Sequence, residues 1–321
     1  MRRQKHRRAG SAVKKVVTDD YMMDASINPV GEAASPSRIV KFAISATVFA
    51  WDAIVFAVCA VTGLRRPGAC IVLYYHSVRP EECSRFAHQL DVIQRLAKPI
   101  DATHELALQP GTRYIAVTFD DGFENFLTVA LPELQKRNIP STMFVISGAL
   151  GRAFGPVNAA EKVMSVQQLT DLPGDLVSLG SHTETHPYLP ELDEGAARQE
   201  LQRSKATLEQ QLGRAVPTFS FPFGGYSEQL IQICRDVGYR RIFTTLPECT
   251  SSLEPGQFIV GRVRVDPSDW SMEFRLKACG AYRWLPTAIR WKRNLLTSKE
   301  EVVSTGQARI TRSLIQEWHG N

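Results

Sequence analysis

Residues 114–122 read Tyr114-Ile115-Ala116-Val117-Thr118-Phe119-Asp120-Asp121-Gly122, an apolar run ending in two adjacent carboxylates and a glycine. Successive side chains on a strand point to opposite faces, and a strand ending in Asp-Asp-Gly frees both carboxylates at the mouth of a sheet or barrel. That is where α/β proteins place their chemistry. Neighbouring carboxylates repel, so both stay ionised at neutral pH most easily beside a cation or a ring of donors. A metal meets that need; a solvated Asp-Gly turn closing the strand is the plainer alternative.

Outward from this strand, from Pro67 onward, the chain alternates strand and helix. Ile71-Val72-Leu73-Tyr74-Tyr75 is an unbroken apolar run, as expected of a parallel strand buried on both faces. Phe86, Leu90, Ile93 and Leu96 mark a helical stripe. Phe123, Leu127, Ala130, Leu131 and Leu134 mark another, which Pro132 should kink. Further strands are expected at 142–146, 176–181, 218–221, 241–244 and 258–263. Between them lie a helix opened by Asp193 and stopped by Gly213, and another on Leu230, Ile233 and Val237. Residues 148–166, with Gly151, Gly155 and Pro156, read as a long loop beside a strand end. This number of strand–helix units predicts a parallel barrel.

With 321 residues, 44% hydrophobic and 22% charged, the chain has room for one large α/β domain plus tails and is not disordered throughout. Arg2, Arg3, Lys5, Arg7, Arg8, Lys14 and Lys15 carry seven positive charges within the first fifteen residues, against +5 for the whole chain. The remainder is −2, which argues against a nucleic-acid-binding body and suits a basic tail on an anionic membrane surface. The six cysteines show no C-x-x-C spacing, so neither a zinc knuckle nor a dense disulfide framework is indicated.

Four segments follow: a basic arm at 1–38, an apolar helix at 39–66, the barrel at 67–280, and a basic amphipathic tail at 281–321. The apolar segment is long enough to cross a bilayer, but Asp52 sits at its centre, costing about 2.5–3.5 kcal/mol on insertion scales. A spanning helix, a helix lying in the interface and a helix packed on the domain all stay open. If it spans, an inner membrane being the expected one, the arm stays cytoplasmic and the body is exported. In the tail, Trp284, Leu285, Ile289, Trp291, Leu295 and Leu296 among basic residues fit a second membrane-surface helix or one closing the barrel.

Two further motifs stand at strand ends. Ser181-His182-Thr183-Glu184-Thr185-His186-Pro187 holds two histidines four apart, which can meet one cation from a helical turn or a tight loop. Two histidines and one carboxylate make three ligands and leave positions open for water and substrate, as catalytic metal sites do. In Phe221-Pro222-Phe223-Gly224-Gly225, proline fixes φ and glycine permits unusual turns, so a backbone N–H can be aimed into a site. A surface or core histidine pair and a plain turn are the alternatives.

Taken in order, Thr118-Phe119-Asp120-Asp121-Gly122, His182-Thr183-x-x-His186 and Pro222-Phe223-Gly224 resemble the first three motifs of the polysaccharide deacetylases, the NodB-homology family also called carbohydrate esterase family 4. Tyr74-Tyr75-His76 and Ile139-Pro140-Ser141-Thr142-Met143-Phe144-Val145 are similar to members as well, and the resemblance covers roughly residues 70 to 265. It implies a distorted (β/α)7 barrel and metal-dependent removal of N-acetyl groups from amino-sugar polymers or lipid-linked glycans. By the same resemblance Asp121, His182 and His186 would bind one divalent ion such as zinc. Asp120 would be the general base, Pro222, Phe223 and Gly224 would meet substrate, and the Phe223 N–H would face the oxyanion. Three departures stand out. Ser220 occupies the place of the family's base-orienting arginine, so that partner is missing or supplied from elsewhere. Asp266-Pro267-Ser268-Asp269-Trp270 matches the fourth motif but comes late. The fifth motif's histidine has no candidate after the last strand except His319, so His76 is the substitute. The rival readings are a catalytically silent glycan-binding or scaffold protein of a polysaccharide export system and a related amide or ester hydrolase.

Overall fold

Strand β1 (Ala69–Tyr75) pairs in parallel along its whole length with β3 (Arg113–Phe119) and, on its other edge, with β10 (Ile259–Arg264). From β10 the order runs through β9 (Arg241–Thr244), β8 (Thr218–Ser220), β7 (Val177–Ser181) and β4 (Ser141–Val145) back to β3. Seven parallel strands therefore close into a barrel with helices around it, the arrangement expected from the sequence. This is a computed structural model, and it describes residues 35–156 and 160–291. The basic residues 1–34, the tail beyond residue 291 and His319 lie outside the described residues.

One short strand carries no periodic signal. β2 (Lys98–Ile100) pairs with residues 114–116 of β3, while β4 pairs with residues 117–119. Since β1 fills one edge of β3, β2 and β4 share the other. The segment at 148–166 also has structure of its own: a two-stranded antiparallel hairpin of β5 (Ala153–Phe154) and β6 (Glu161–Lys162).

The period-2 alternation of the strands decides what faces the barrel interior. Ile71, Leu73, Tyr75, Ile115, Val117 and Phe119 pack outward in one cluster with Phe86, Leu90 and Ile93 of helix α2 (Cys83–Leu96). Cys70, Val72, Tyr114, Ala116, Phe144, Phe243 and Val260 meet inside. Glycine is required at position 180 because a Cβ there would sit 2.5 Å from the inward Phe144 ring. After β3, a wide helical turn over Phe126–Ala130 precedes α3 (Leu131–Arg137), with Pro132 in its first turn where a missing N–H costs nothing. A short α4 (Val166–Thr170) leads to β7. Helix α5 (Glu194–Leu212) starts and stops as expected: Asp193 accepts from the Ala196 N–H, and Gly213 adopts φ 63°. Helix α6 (Glu228–Val237) follows β8, and α7 (Ser271–Ala278) follows β10.

The apolar N-terminal helix, α1, spans Pro36–Thr62, so residues 36–38 belong to it rather than to the arm. Ser35 caps it by accepting from the Arg38 N–H, Pro36 sits in its first turn, and Gly63 ends it at φ 72°. Ser-Pro here is a helix start, not a loop. By length and composition α1 can cross a membrane. In this structure it packs along α7 and the 281–285 segment. Phe42, Val48 and Phe49 contact Leu276, Tyr282 and Leu285, and Arg283 donates to both oxygens of Asp52 at 2.7 and 2.8 Å.

The outward strand face dominates the core. Leu73→Ala, at a fully buried position between β3 and β10, should cost about 2–5 kcal/mol, read from urea unfolding.

Candidate active site

Alternation along β3 sends Thr118 and Asp120 inward, to the end of the barrel where β1 delivers His76. On β10 the same parity sends Arg262 inward, where it is 0% exposed. A buried guanidinium needs partners for its five N–H groups, and Arg262 has five. Nη1 donates to Asp120 Oδ1 at 2.7 Å and to Thr118 Oγ1 at 3.0 Å; Nη2 donates to Asp120 Oδ2 at 2.7 Å and to Ser220 Oγ at 2.6 Å. Nε donates to the Thr244 carbonyl at 3.3 Å, and the guanidinium carbon lies 4.6 Å from the centre of the Tyr74 ring. Burial alone would raise the Asp120 carboxyl, but Arg262, His182 and His76 outweigh it and hold the group at about 2. The arginine that pairs with Asp120 thus comes from β10, and the Ser220 hydroxyl is one of its five acceptors. Sequence reasoning left Arg262 inside an apolar strand without a role. A charged residue in such a run was the available signal, but alternation only puts Arg262 and Arg264 on one face and could not say which face that is or what either residue meets.

Asp121 has the opposite environment. Burial, then the charges of Asp120 and Glu161, push its carboxyl well above the usual range. Its Oδ1 is buried without a hydrogen-bond partner, 3.6 Å from His182 Nε2 and 3.4 Å from His186 Nε2. His182 Nδ1 lies 2.8 Å from the Ser220 carbonyl, which can only accept, so the proton sits on Nδ1 and the Nε2 lone pair faces Asp121. Burial, and for His186 also the neighbouring His182, lowers both histidines and keeps them neutral. One ligand atom from each of Asp121, His182 and His186 falls within a 4.8 Å group. An orphaned carboxylate oxygen facing neutral imidazoles suits a divalent cation, and the residues present fit one.

The loops holding these groups are strained. Asp121 (φ 71°), Thr183 (68°), His186 (62°) and Phe223 (57°) are four of the five non-glycine residues with positive φ among the described residues. Such conformations cost about 1–3 kcal/mol each and persist only where the surroundings impose them. For the histidine loop, Glu200 of α5 imposes them: it accepts from the Glu184 and Thr185 N–H groups at 2.9 Å each. The His186 ring is held edge-on by Phe154 of the hairpin at 5.6 Å and by Phe223 at 4.7 Å. Gly224 follows at φ 75°, where a Cβ would fall 1.8 Å from Thr245 Oγ1. Pro222 is buried, whereas the Phe223 ring is 43% exposed at the mouth. His76 stands there too, edge-on to Tyr74 at 5.6 Å and open to solvent on one side. The crowding walls and then Arg264 and His182 lower its pKa, while Asp120 raises it.

Residues 266–270 lie elsewhere. Asp269 bonds Lys277 Nζ at 2.8 Å, and Trp270 stacks under Arg38 of α1 at 4.5 Å. This apparent fourth motif fastens the N-terminal helix and takes no part in the cluster around Asp120.

The profile of the polysaccharide deacetylase family matches residues 107–242, which carry Asp120, Asp121, His182, His186 and Phe223. Residues 107–242 thus match the polysaccharide deacetylase family, the one that the sequence motifs resemble. YxkH of Bacillus subtilis (strain 168), named as a polysaccharide deacetylase, is 26% identical over 159 residues, half of this chain and 54% of YxkH; the match thus spans about half the length of that relative. The structure of IcaB from Ammonifex degensii superposes with a TM-score of 0.58 at 26% identity, covering 68% of this chain and 98% of IcaB. That of the Streptococcus pyogenes deacetylase PplD, in complex with acetate, gives 0.54 at 24% identity, over 66% and 98% of the two chains, a likeness of fold. The clamping Arg262 lies beyond the matched residues 107–242.

Arg262→Met should destabilise by about 3–5 kcal/mol, because Asp120 is left buried and charged. Pairing it with Asp120→Asn should cost much less than the two single losses combined. The pH dependence has a definite sign. A carboxyl depressed from 3.8 to about 2 adds stability above its unfolded value, and that stability disappears as pH falls through the depressed one. The acid window should vanish in Arg262→Met, as followed by urea unfolding from neutral pH downward.

Proposed function

We propose that this chain is a metal-dependent deacetylase of N-acetylated amino-sugar polysaccharides, hydrolysing acetamide groups to acetate and free amine. The observation carrying this reading is the split between two adjacent carboxylates. Asp120 is locked ionised by Arg262, and Asp121 is left with an orphaned oxygen between two neutral histidines.

Asp121, His182 and His186 would hold the ion, and this nitrogen-rich set with open positions suits zinc. When bound, the ion polarises the acetamide carbonyl and acidifies water beside it. Asp120, ionised throughout the working pH range, accepts the proton of the attacking water. Arg262 cannot turn toward substrate, since all five of its N–H groups are engaged, so its part is to fix the Asp120 plane. The left-handed turn at Phe223 offers its backbone N–H to the developing oxyanion, as a preorganised donor should. His76, at the same mouth, is placed to protonate the departing nitrogen as the C–N bond breaks. The exposed Phe223 ring, with Tyr188 centred 6.4 Å away, offers an apolar wall for a sugar ring. Membrane association through α1 and the basic residues 1–15 belongs to the same reading.

The protein with zinc or cobalt should release acetate from N-acetylglucosamine oligomers, and Asp120→Asn should lower the rate by about 10²-fold or more. Metal-loaded protein that binds but never releases acetate would leave glycan binding as the function. Zinc at about 100 times its Kd should add about 2.7 kcal/mol of stability, seen as a raised melting temperature. Asp121→Asn should lose most of that shift.

A further inference from the structure

α1 has two faces of different character. Arg38, Phe42, Ser45, Phe49 and Asp52 recur at three- and four-residue steps on the barrel side. Arg38 Nη2 lies 2.6 Å from Glu273, Trp284 donates to Ser45 Oγ at 2.9 Å, and Asp52 takes both Nη groups of Arg283. On the opposite side Ile39, Ile44, Trp51, Ile54, Val58 and Val61 are all exposed, Trp51 by 64% and Val61 by 88%. At 1.5 Å per residue this apolar ridge is about 33 Å long.

A spanning helix needs about 20 residues clear of protein. Beyond Asp52 only ten residues of α1 remain, Ala53–Thr62, which reach about 15 Å. Up to Asp52 the helix lies beside Asp269, Glu273, Lys277 and Arg283, charges that the hydrocarbon core excludes. While clasped in this way, α1 cannot cross a bilayer. Yet a contiguous apolar ridge of this length marks an interaction surface. Basic groups stand near both ends of the ridge: Arg65 and Arg66 follow α1, exposed Arg290 precedes exposed Trp291, and the seven Lys or Arg of the first fifteen residues outnumber Asp19, Asp20, Asp24 and Glu32, which stand between them and α1. An apolar ridge with basic flanks complements an anionic lipid surface.

We propose that α1 lies in the plane of an anionic lipid bilayer, with the Ile39–Val61 ridge sunk at the headgroup boundary and the clasped face turned to the barrel. This deepens the membrane association proposed above by stating how α1 meets the lipid, and it does not depend on the deacetylase chemistry.

The full-length chain can be tested in two ways. Purified protein should bind phosphatidylcholine vesicles containing phosphatidylglycerol, and lose binding in pure phosphatidylcholine or high salt. Val58→Asp should weaken binding about tenfold while leaving acetate release from soluble oligomers unchanged. In sealed membrane vesicles of both orientations, Ser37→Cys and Thr62→Cys, read by peptide mass spectrometry after an impermeant maleimide, should label from the same side. Labelling from opposite sides would establish a span and overturn the proposal. Absence of vesicle binding, whether the protein is a monomer or pairs through this ridge, would overturn it as well. Neither result touches the acetate-release test.

Discussion

A guanidinium buried inside a barrel must have every donor satisfied, and the interior of this barrel is arranged around that requirement. Arg262 starts on β10, lies over Tyr74 of β1 and reaches Asp120 just beyond β3, so its ion pair spans the point where the barrel closes. Its remaining donors reach Ser220 on β8 and Thr244 on β9. Four strands and the β3 terminus therefore meet in one side chain. Removing any acceptor leaves a buried donor unpaired, which is why a serine at position 220 is as constrained as a larger residue would be.

The same network divides the Asp120-Asp121 pair. Adjacent carboxylates would ordinarily titrate together, yet one is held down by a bidentate cation and the other is pushed up by burial and by its neighbour. The left-handed backbone at Asp121 turns its side chain away from Arg262 and toward the histidines. Strain in three loops, those carrying Asp121, His186 and Phe223, brings the acid, the imidazoles and the aromatic wall to one mouth. Glu200, Phe154 and Thr245 hold those loops from outside the motifs.

Outside the mouth, charge does a different job. The segment 266–270, with Lys277 and Glu273, forms a polar clasp that receives Arg38, and Arg283 neutralises the acid at the centre of α1. Asp52, which argued against a spanning helix, is one of the residues that tie α1 to the rest of the fold, with Arg38 and Ser45. The helix is thereby continuous with the fold on one side and unpartnered on the other.

The strands, their order as strand–helix units, the caps at Asp193 and Gly213 and the ligand-bearing motifs were all legible in the sequence, because hydrophobic period, turn chemistry and motif spacing are local properties. β2 was not, being three residues long with a proline at its centre. Nor was Arg262, because a charge in a strand has a partner only once closure places β10 two strands from β3. The match at 266–270 misled for the related reason that spacing alone does not say which way a loop leaves the barrel. Local chemistry determined which residues were able to act; closure of the barrel decided which of them meet, since only the register around the ring brings side chains more than a hundred residues apart within bonding distance.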